Sequence, residues 1–490
     1  MTAWNMASLV PFIIAVGAGV LYVVLRNLSP EGRKWGGALT ALWLLAAFAV
    51  MADEILTDPS PPGFLYIGVT VGLVITGIGA LAAIASQGSI DPHGPIHLYY
   101  PLLLLALAGG VAIGFARDLF TIFVAVELSA IPIYALIAYG HREDPSAIAA
   151  AMQYLTQGVA GTVTALLGVS LLYLHAGTLS LDALPGALAG APPSVLLLSA
   201  VLIIVGYGVK IAMVPLHTWL PDAYAKAPVG VTAIMVGATK TGVLIGLFLS
   251  LTALPIESGI LSTVGALVIV IAIVTMTVGN LLGLNQPDLR YLLSYSSVAQ
   301  MGYILLGFGI GLTYNLPFGF TAGLYYAIAY SVMKSGAFIA ADAFARRAGS
   351  AEVARMRGLG AAHPLLGLSF LVFVLGLIGV PFTAGFLGKL LLEQAGMVTS
   401  MLSGAALALI LAVNSAISLG YYVPVLSILL FPGREPAREV SVPPASSPIP
   451  WMVLLVAAVL AFQTIYLGLF PEAYDWMVNA SRDLFPWVVP

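Results

Sequence analysis

Four lysines stand where a membrane-spanning chain ordinarily carries none: Lys210, Lys240, Lys334 and Lys389, each inside an apolar run. One glutamate, Glu127, lies near the middle of another such run. A charged side chain near the bilayer centre costs on the order of 2.5–3.5 kcal/mol on insertion scales, so the group needs a reason. Arginine would hold its proton at such depth. Lysine is a compact base that gives up its proton more readily when water is removed and holds it again beside a carboxylate. A row of such groups with one matching carboxylate suits proton transfer. A lone intramembrane lysine has blander uses, such as snorkelling or neutralising a structural carboxylate. Four together fit a relay better than a solute cage, which wants polar groups of differing kinds.

Two of these lysines sit beside a break in the backbone. In "GVKIAMVPLHTWLPDAY" (208–224), Pro215 removes a donor five residues after Lys210. In "GVPFTAGFLGK" (379–389), Gly379, Pro381, Gly385 and Gly388 weaken the helix just before Lys389. Interrupted backbone at membrane depth is tolerated where protein or a water-filled cavity satisfies it. Paired interruptions in two halves of a chain point to a transport site between inverted repeats. The two prolines are about five spans apart, and an odd number of spans inverts the second copy. His217 fits either a relay or a hydrogen-bonded packing role. Asp222 and Tyr224 read as helix-end residues. Gln153, Gln157, Ser294, Ser296, Ser297, Gln300 and Asn414 suit either a hydrated channel or interhelical hydrogen bonding.

The elements that must position these groups follow from composition. Of 490 residues 60% are hydrophobic and 8% charged, with a mean hydropathy of +1.03; soluble domains carry roughly 25% charged residues. Apolar runs long enough to cross hydrocarbon recur from end to end, without the period-two alternation of a membrane barrel. They fall at about 7–25, 36–53, 65–87, 99–115, 118–139, 147–175, 194–224, 229–252, 259–284, 290–312, 316–343, 364–394, 401–430 and 450–470. The expectation is an all-α polytopic membrane protein of about 14 transmembrane helices, with discontinuous helices 7 and 12. The first run has no basic segment before it and basic residues after it, so it reads as a retained span rather than a signal peptide. Residues 471–490, with Trp476 and Trp487, read as an interfacial tail.

Basic residues test the count. One set of alternating loops holds Arg26, Arg33, Lys34, Arg142, Lys226, Arg290, Arg346, Arg347, Arg355, Arg357, Arg434 and Arg438; the other holds Arg117 and Arg482. By the positive-inside rule the first set is cytoplasmic and both termini lie outside. The remaining cations are the four intramembrane lysines. There is no cysteine, which excludes disulfides, iron–sulfur clusters and thiolate metal sites on this chain. No metal or nucleotide motif appears, and a net charge of −3 gives no sign of nucleic acid.

Three segments carry a family resemblance: "VKIAMVPLHTWLPDAYAKAPVGVTAIMVGATKTG" (209–242), "YSSVAQMGYILLG" (295–307) and "GVPFTAGFLGKLLLEQAG" (379–396). They resemble the antiporter-like proton-channel subunits of respiratory complex I, a family that includes large subunits of Mrp-type cation/proton antiporters and of membrane-bound hydrogenases. The resemblance covers about 99–430. It implies two inverted five-helix repeats, helices 4–8 (99–252) and 9–13 (253–430). These are flanked by helices 1–3 (1–98) and by a loop, helix 14 and tail (431–490). Glu127, in "FVAVELSAIPIY", matches the family's helix-5 glutamate, and Lys210 the helix-7 lysine with which it pairs. Lys240 matches the central helix-8 base, Lys334 a helix-11 lysine and Lys389 the helix-12 residue at the far end of the path. That last position is glutamate in some relatives, and lysine argues mildly against those branches. Some relatives carry histidine one turn before the helix-11 lysine, where this chain has Tyr330, a poor relay near neutral pH. Transfer from Lys240 to Lys334 is then expected to use water with Gln300 or Ser331. No long C-terminal lateral helix of the largest such subunits is expected.

The resulting expectation is a proton-translocating, antiporter-like subunit of a complex I-related, redox-driven pump of NADH/quinone oxidoreductase or membrane-bound hydrogenase type. It would bear no cofactor or redox centre of its own. Its partners would be other integral membrane subunits, homologous ones among them, with a peripheral redox arm and the bilayer, in a prokaryotic plasma membrane. "PLHTWLPDAY" leans to the respiratory or hydrogenase branch and "GFLGKLLLEQAG" to Mrp, so a subunit of a multisubunit Na+/H+ antiporter without a redox partner is the first alternative. A carbon-dioxide-uptake complex is the second. A stand-alone solute transporter and a structural scaffold are rivals of other classes: the first should transport alone, and the second should tolerate loss of the lysines.

Overall fold

Inside hydrocarbon no water pairs with the peptide groups, so a chain this apolar must satisfy them within helices. The computed structural model describes residues 6–57, 63–87, 89–91, 93–142, 144–255, 259–399, 401–432 and 449–470. The expected tail at 471–490 and the basic residues Arg434, Arg438 and Arg482 lie outside the described residues. The long elements are α1 (Val10–Asn27), α2 (Gly36–Thr57), α3 (Gly63–Gln87), α4 (Ile96–Gly114), α5 (Leu119–Tyr139), α6 (Ala147–Ala176) and α7 (Pro193–Ile211). After the short α8 (Leu220–Lys226) come α9 (Val229–Thr252), α10 (Ile260–Gly283), α11 (Leu289–Tyr314), α12 (Pro317–Ala348), α13 (Pro364–Ile378), α14 (Ala384–Thr399), α15 (Met401–Leu430) and α16 (Trp451–Leu469). Among the described residues only two isolated β-bridges occur, Asp118–Ser180 and Asp288–Glu352.

Twelve helices among the described residues are long and apolar enough to cross a membrane. Two of the fourteen expected spans miss that mark, for different reasons. Helix α12 runs for 32 residues but carries Tyr325, Tyr326, Tyr330, Ser331, Lys334, Ser335 and Asp342, all buried. Its polar groups face protein rather than lipid, which lowers its hydropathy without exposing it. The run at 364–394 is two half-helices, α13 and α14. The run at 194–224 is interrupted too, as expected of helix 7: α7 stops at Ile211 and α8 begins only at Leu220.

Local features of one half recur in the other. Asp118 caps α5 by accepting from the Thr121 N–H, and Asp288 caps α11 by accepting from the Arg290 and Tyr291 N–H groups. Helices α6 and α12 end at left-handed Gly177 and Gly349, while α7 and α13 end at left-handed Ala212 and Gly379. The order of these counterparts is the one an internal repeat demands.

Burial separates the helices that can carry charge from those that meet lipid. In α9 and α11, 94% of the span is buried, against 28% in α2. Helix α12 touches α9, α11, α13, α14 and α16 and forms the axis of the second half. Lys240 and Lys334 therefore sit on the two most enclosed kinds of element in the molecule.

A row of buried lysines as the candidate functional site

The row begins at an ion pair between α5 and α7. Lys210 Nζ lies 3.0 Å from Glu127 Oε1, and the lysine side chain is 1% exposed against 20% for the glutamate. The same ammonium donates to the Tyr134 hydroxyl at 2.7 Å. Tyr134 stands two turns beyond Glu127 on the same face of α5, so one helix supplies both partners. Behind it Tyr154 packs edge-on to Tyr134, with ring centres 4.8 Å apart, and stacks on Trp219 at 3.7 Å.

Position and break are coupled at Lys210. It lies in the last turn of α7, before Ala212 turns the chain with φ 61°. The linker to α8 contains a cis Val214–Pro215 bond. Helix ends leave carbonyls without partners, and here the Trp219 indole N–H donates to the Val209 carbonyl at 2.8 Å. The Val214 N–H is taken by the Thr275 hydroxyl at 3.2 Å. Gln153 and Gln157 hold the Thr218 carbonyl and hydroxyl from α6.

Lys240 follows a π-helical turn, Met235–Thr239, within α9. Such turns widen a helix locally and recur at functional sites. Its ammonium is buried, with no hydrogen-bond partner among the described residues, and lies 5.2 Å from the Tyr224 ring centre. Lys210 and Lys240 line one small cavity together with Ser129, Tyr154, Tyr224 and Thr239. Tyr224, expected only as a helix-end residue, thus forms the floor of the Lys240 site. Asp222 keeps its structural role: it accepts from the Tyr291 hydroxyl at 2.6 Å and pairs with Lys226 at 2.7 Å.

From Lys240 onward the polar side chains belong to the second half. Thr241 and Ser331 share a hydrogen bond of 2.7 Å between α9 and α12, next to Lys240 in one chain segment and one turn before Lys334 in the other. Tyr330 is buried here, its hydroxyl without a partner among the described residues. Lys334 donates to Ser296 and, at 3.4 Å, to the Tyr422 hydroxyl. One turn along α11 from Ser296, Gln300 accepts from Tyr326 and donates to the Leu377 carbonyl at 3.3 Å. Gln300 therefore bridges toward Lys389, beyond Lys334, and not the gap between Lys240 and Lys334. The spacing along α11 explains this, since its Ser296 already occupies Lys334.

Lys389 closes the row at the second break. Helix α13 ends at Gly379, φ 95°, and the Lys389 ammonium donates to the freed carbonyls of Ile378 at 2.7 Å and Leu377 at 3.2 Å, with Ser415 at 3.0 Å. The negative end of a half-helix is a favourable place for a cation. Leu377 O is shared by Gln300 and Lys389, so a hydrogen-bonded connection runs between them. Pro381 and Gly379 shape the turn, and Gly385 permits its return: a Cβ there would meet the Gly376 carbonyl at 1.9 Å.

Some expected residues fall elsewhere. His217 is half-buried in the linker, near the Pro215 carbonyl, with no hydrogen bond to any of the four lysines among the described residues. Asn414 holds α15 to α10: Asn280 donates to its side chain at 3.1 Å, and Asn414 donates to Thr277. Ser296, one of the residues expected to line a channel or join helices, holds Lys334, whereas Tyr134, Ser415 and Tyr422 carry no charge that marks them in the sequence and Tyr224 was expected only at a helix end. The helical spacing from Glu127 to Tyr134 was a usable signal; nothing local marks Tyr422, which reaches Lys334 from another helix.

The chain is similar to known membrane proteins over most of its length. Residues 116–418 match the family described as "NADH:quinone oxidoreductase/Mrp antiporter, TM". NADH-quinone oxidoreductase subunit N of Rubrobacter xylanophilus is 34% identical, over 86% of this chain and 87% of that one. F(420)H(2) dehydrogenase subunit N of Methanosarcina mazei is 29% identical, over 98% and 99%. A chain of the Mrp complex from Dietzia sp. DQ12-45-1b superposes with a TM-score of 0.85 over 98% of both chains, at 24% identity, a likeness of fold.

Proposed function

The chain belongs to the NADH:quinone oxidoreductase/Mrp antiporter membrane family, and we propose that it carries protons along its lysine row for a complex I-type, redox-driven pump. It is a multi-pass, antiporter-like subunit of a multisubunit membrane complex. The observation that carries the reading is the row itself. Lys210 is paired with Glu127, Lys240 is buried without a hydrogen-bond partner among the described residues, Lys334 is held by hydroxyls and Lys389 by helix-end carbonyls. Four amines held in four different ways can pass a proton along the row, each accepting it as the free base, because each site stabilises the charged form to a different degree.

In this reading Glu127 and Lys210 are the switch. With the pair closed, the carboxylate stabilises the ammonium. When charge on a neighbouring subunit draws Glu127 away, Lys210 gives its proton toward Lys240 through water in their shared cavity. Thr241 and Ser331 orient the next transfer, to Lys334, and Ser296 and Gln300 the one to Lys389. The basic loops face the cytoplasm of a prokaryotic plasma membrane. No redox step is assigned to this chain; electrons pass on partner subunits.

Redox drive is favoured over sodium/proton exchange because relatives matching over most of their length are named as parts of a quinone oxidoreductase and of a dehydrogenase. Mass spectrometry of what copurifies with the chain in mild detergent tests this. Quinone-reductase, dehydrogenase or hydrogenase subunits are expected. A complex of small hydrophobic antiporter subunits, free of metal and flavin, would overturn the redox reading and direct attention to sodium.

A further inference from the structure

One titratable group at membrane depth plays no part in the row described so far. Glu393 stands one turn beyond Lys389 on α14, half-buried, and no ion pair or hydrogen bond holds its carboxylate among the described residues. Residues four apart share a helix face, so the Lys389 side chain, pivoting about its stem, can approach it. Glu393 also lines an open groove with Phe318, Leu390, Gln394, Met397 and Ala408. The groove lies at the start of α12 and the end of α14. That is the end of α12 opposite Arg346 and Arg347, hence the face of the membrane opposite the basic loops. A carboxylate so placed is costly unless water or a charge partner reaches it.

We infer that Glu393 is the release group of the path: it takes the proton from Lys389 and passes it to water in this groove. The step balances simply. The Lys389 ammonium becomes an amine as the Glu393 carboxylate becomes a carboxylic acid, and the acid then protonates a groove water and returns to carboxylate. Lys389 is held by Leu377, Ile378 and Ser415 and lies 4.7 Å from the Tyr303 ring centre, and Glu393, one turn along the same helix face, is the carboxylate its side chain can reach toward the groove. This inference rests on the lysine-row reading, and its test separates the two.

The test uses the intact complex in proteoliposomes, energised by its own electron donor, with proton uptake and redox turnover followed together. Glu393→Gln is expected to lower protons moved per electron by the same fraction as Lys240→Ala, with proton transfer slowed roughly tenfold or more. Glu393→Asp is expected to restore most of it, a rescue that a packing role would not give. Full pumping by Glu393→Gln beside impaired Lys240→Ala overturns the release role and leaves the row standing. Full pumping by both overturns the row itself. Should the Gln variant not assemble, the unaltered complex is treated with a carbodiimide and its peptides mapped. Modification of Glu393 with proportional loss of pumping supports the role, and complete modification with undiminished pumping overturns it. Loss of pumping cured only by adding back a neighbouring subunit marks the groove as an interface and overturns release into it.

Discussion

Replacing Glu127 by Gln removes one charge from the switch while keeping its size and an acceptor for Lys210. Two unit charges 3.0 Å apart attract by about 5.5 kcal/mol at an effective dielectric of about 20. Glu127 is one-fifth exposed, which brings in water and reduces the figure; about 2–3 kcal/mol is a working value, roughly a hundredfold in equilibrium. The Tyr134 hydroxyl, 2.7 Å from Lys210, still holds the lysine in place, so assembly is expected to be unchanged. What is lost is the difference between the closed and open pair, and with it the drive for proton transfer. In reconstituted complex, protons translocated per electron should fall at least tenfold for the part this subunit contributes, while uncoupled electron transfer persists. Glu127→Asp, one methylene shorter, should fall between. A Gln variant with full subunit complement and an unchanged proton-to-electron ratio would refute the switch.

Three further outcomes follow from the geometry. Tyr224→Phe should pump nearly as the unaltered chain, because the ring under Lys240 is kept, whereas Tyr224→Leu loses a buried cation–π contact of roughly 2 kcal/mol and should slow pumping severalfold in the same proteoliposome assay. Ser296→Ala removes a hydroxyl held by Lys334 and should retard the later transfers, seen as slower proton release at equal redox turnover; an unchanged rate would place Ser296 outside the path. Gly385→Ala drives a Cβ into the Gly376 carbonyl, 1.9 Å away, and should cost several kcal/mol by forcing the half-helices apart. Loss of the chain from the purified complex, read by gel or mass spectrometry, checks it.

Much of this was legible in the sequence because insertion energetics make charge conspicuous. Glu127, Lys210, Lys240, Lys334 and Lys389 stood out against apolar surroundings, and Pro215 and Gly379 marked the breaks beside two of them. The fold class was equally legible, since hydropathy reads span length directly. What was hidden is how the charges are held. A tyrosine such as Tyr224 or Tyr422 counts as apolar in a composition, and only the packing of distant helices shows its ring or hydroxyl beside an ammonium. Of the two candidates for the gap between Lys240 and Lys334, Ser331 lies there and Gln300 does not, because sequence gives the place of Gln300 along α11 but not which neighbour that turn faces. The run at 316–343 was expected as a span, but its polar residues show no periodicity, because α12 is enclosed on all sides.

The central claim is that a proton crosses Lys240 on its way from the Glu127–Lys210 pair to Lys389. Lys240→Met keeps the length of the side chain and most of its volume and removes its only exchangeable site. The proton-to-electron ratio of that complex in proteoliposomes, at matched subunit content and redox turnover, is the most direct measurement. The account predicts loss of this subunit's share of pumping with electron transfer intact. An undiminished ratio would contradict it and leave the buried lysines as structural cations.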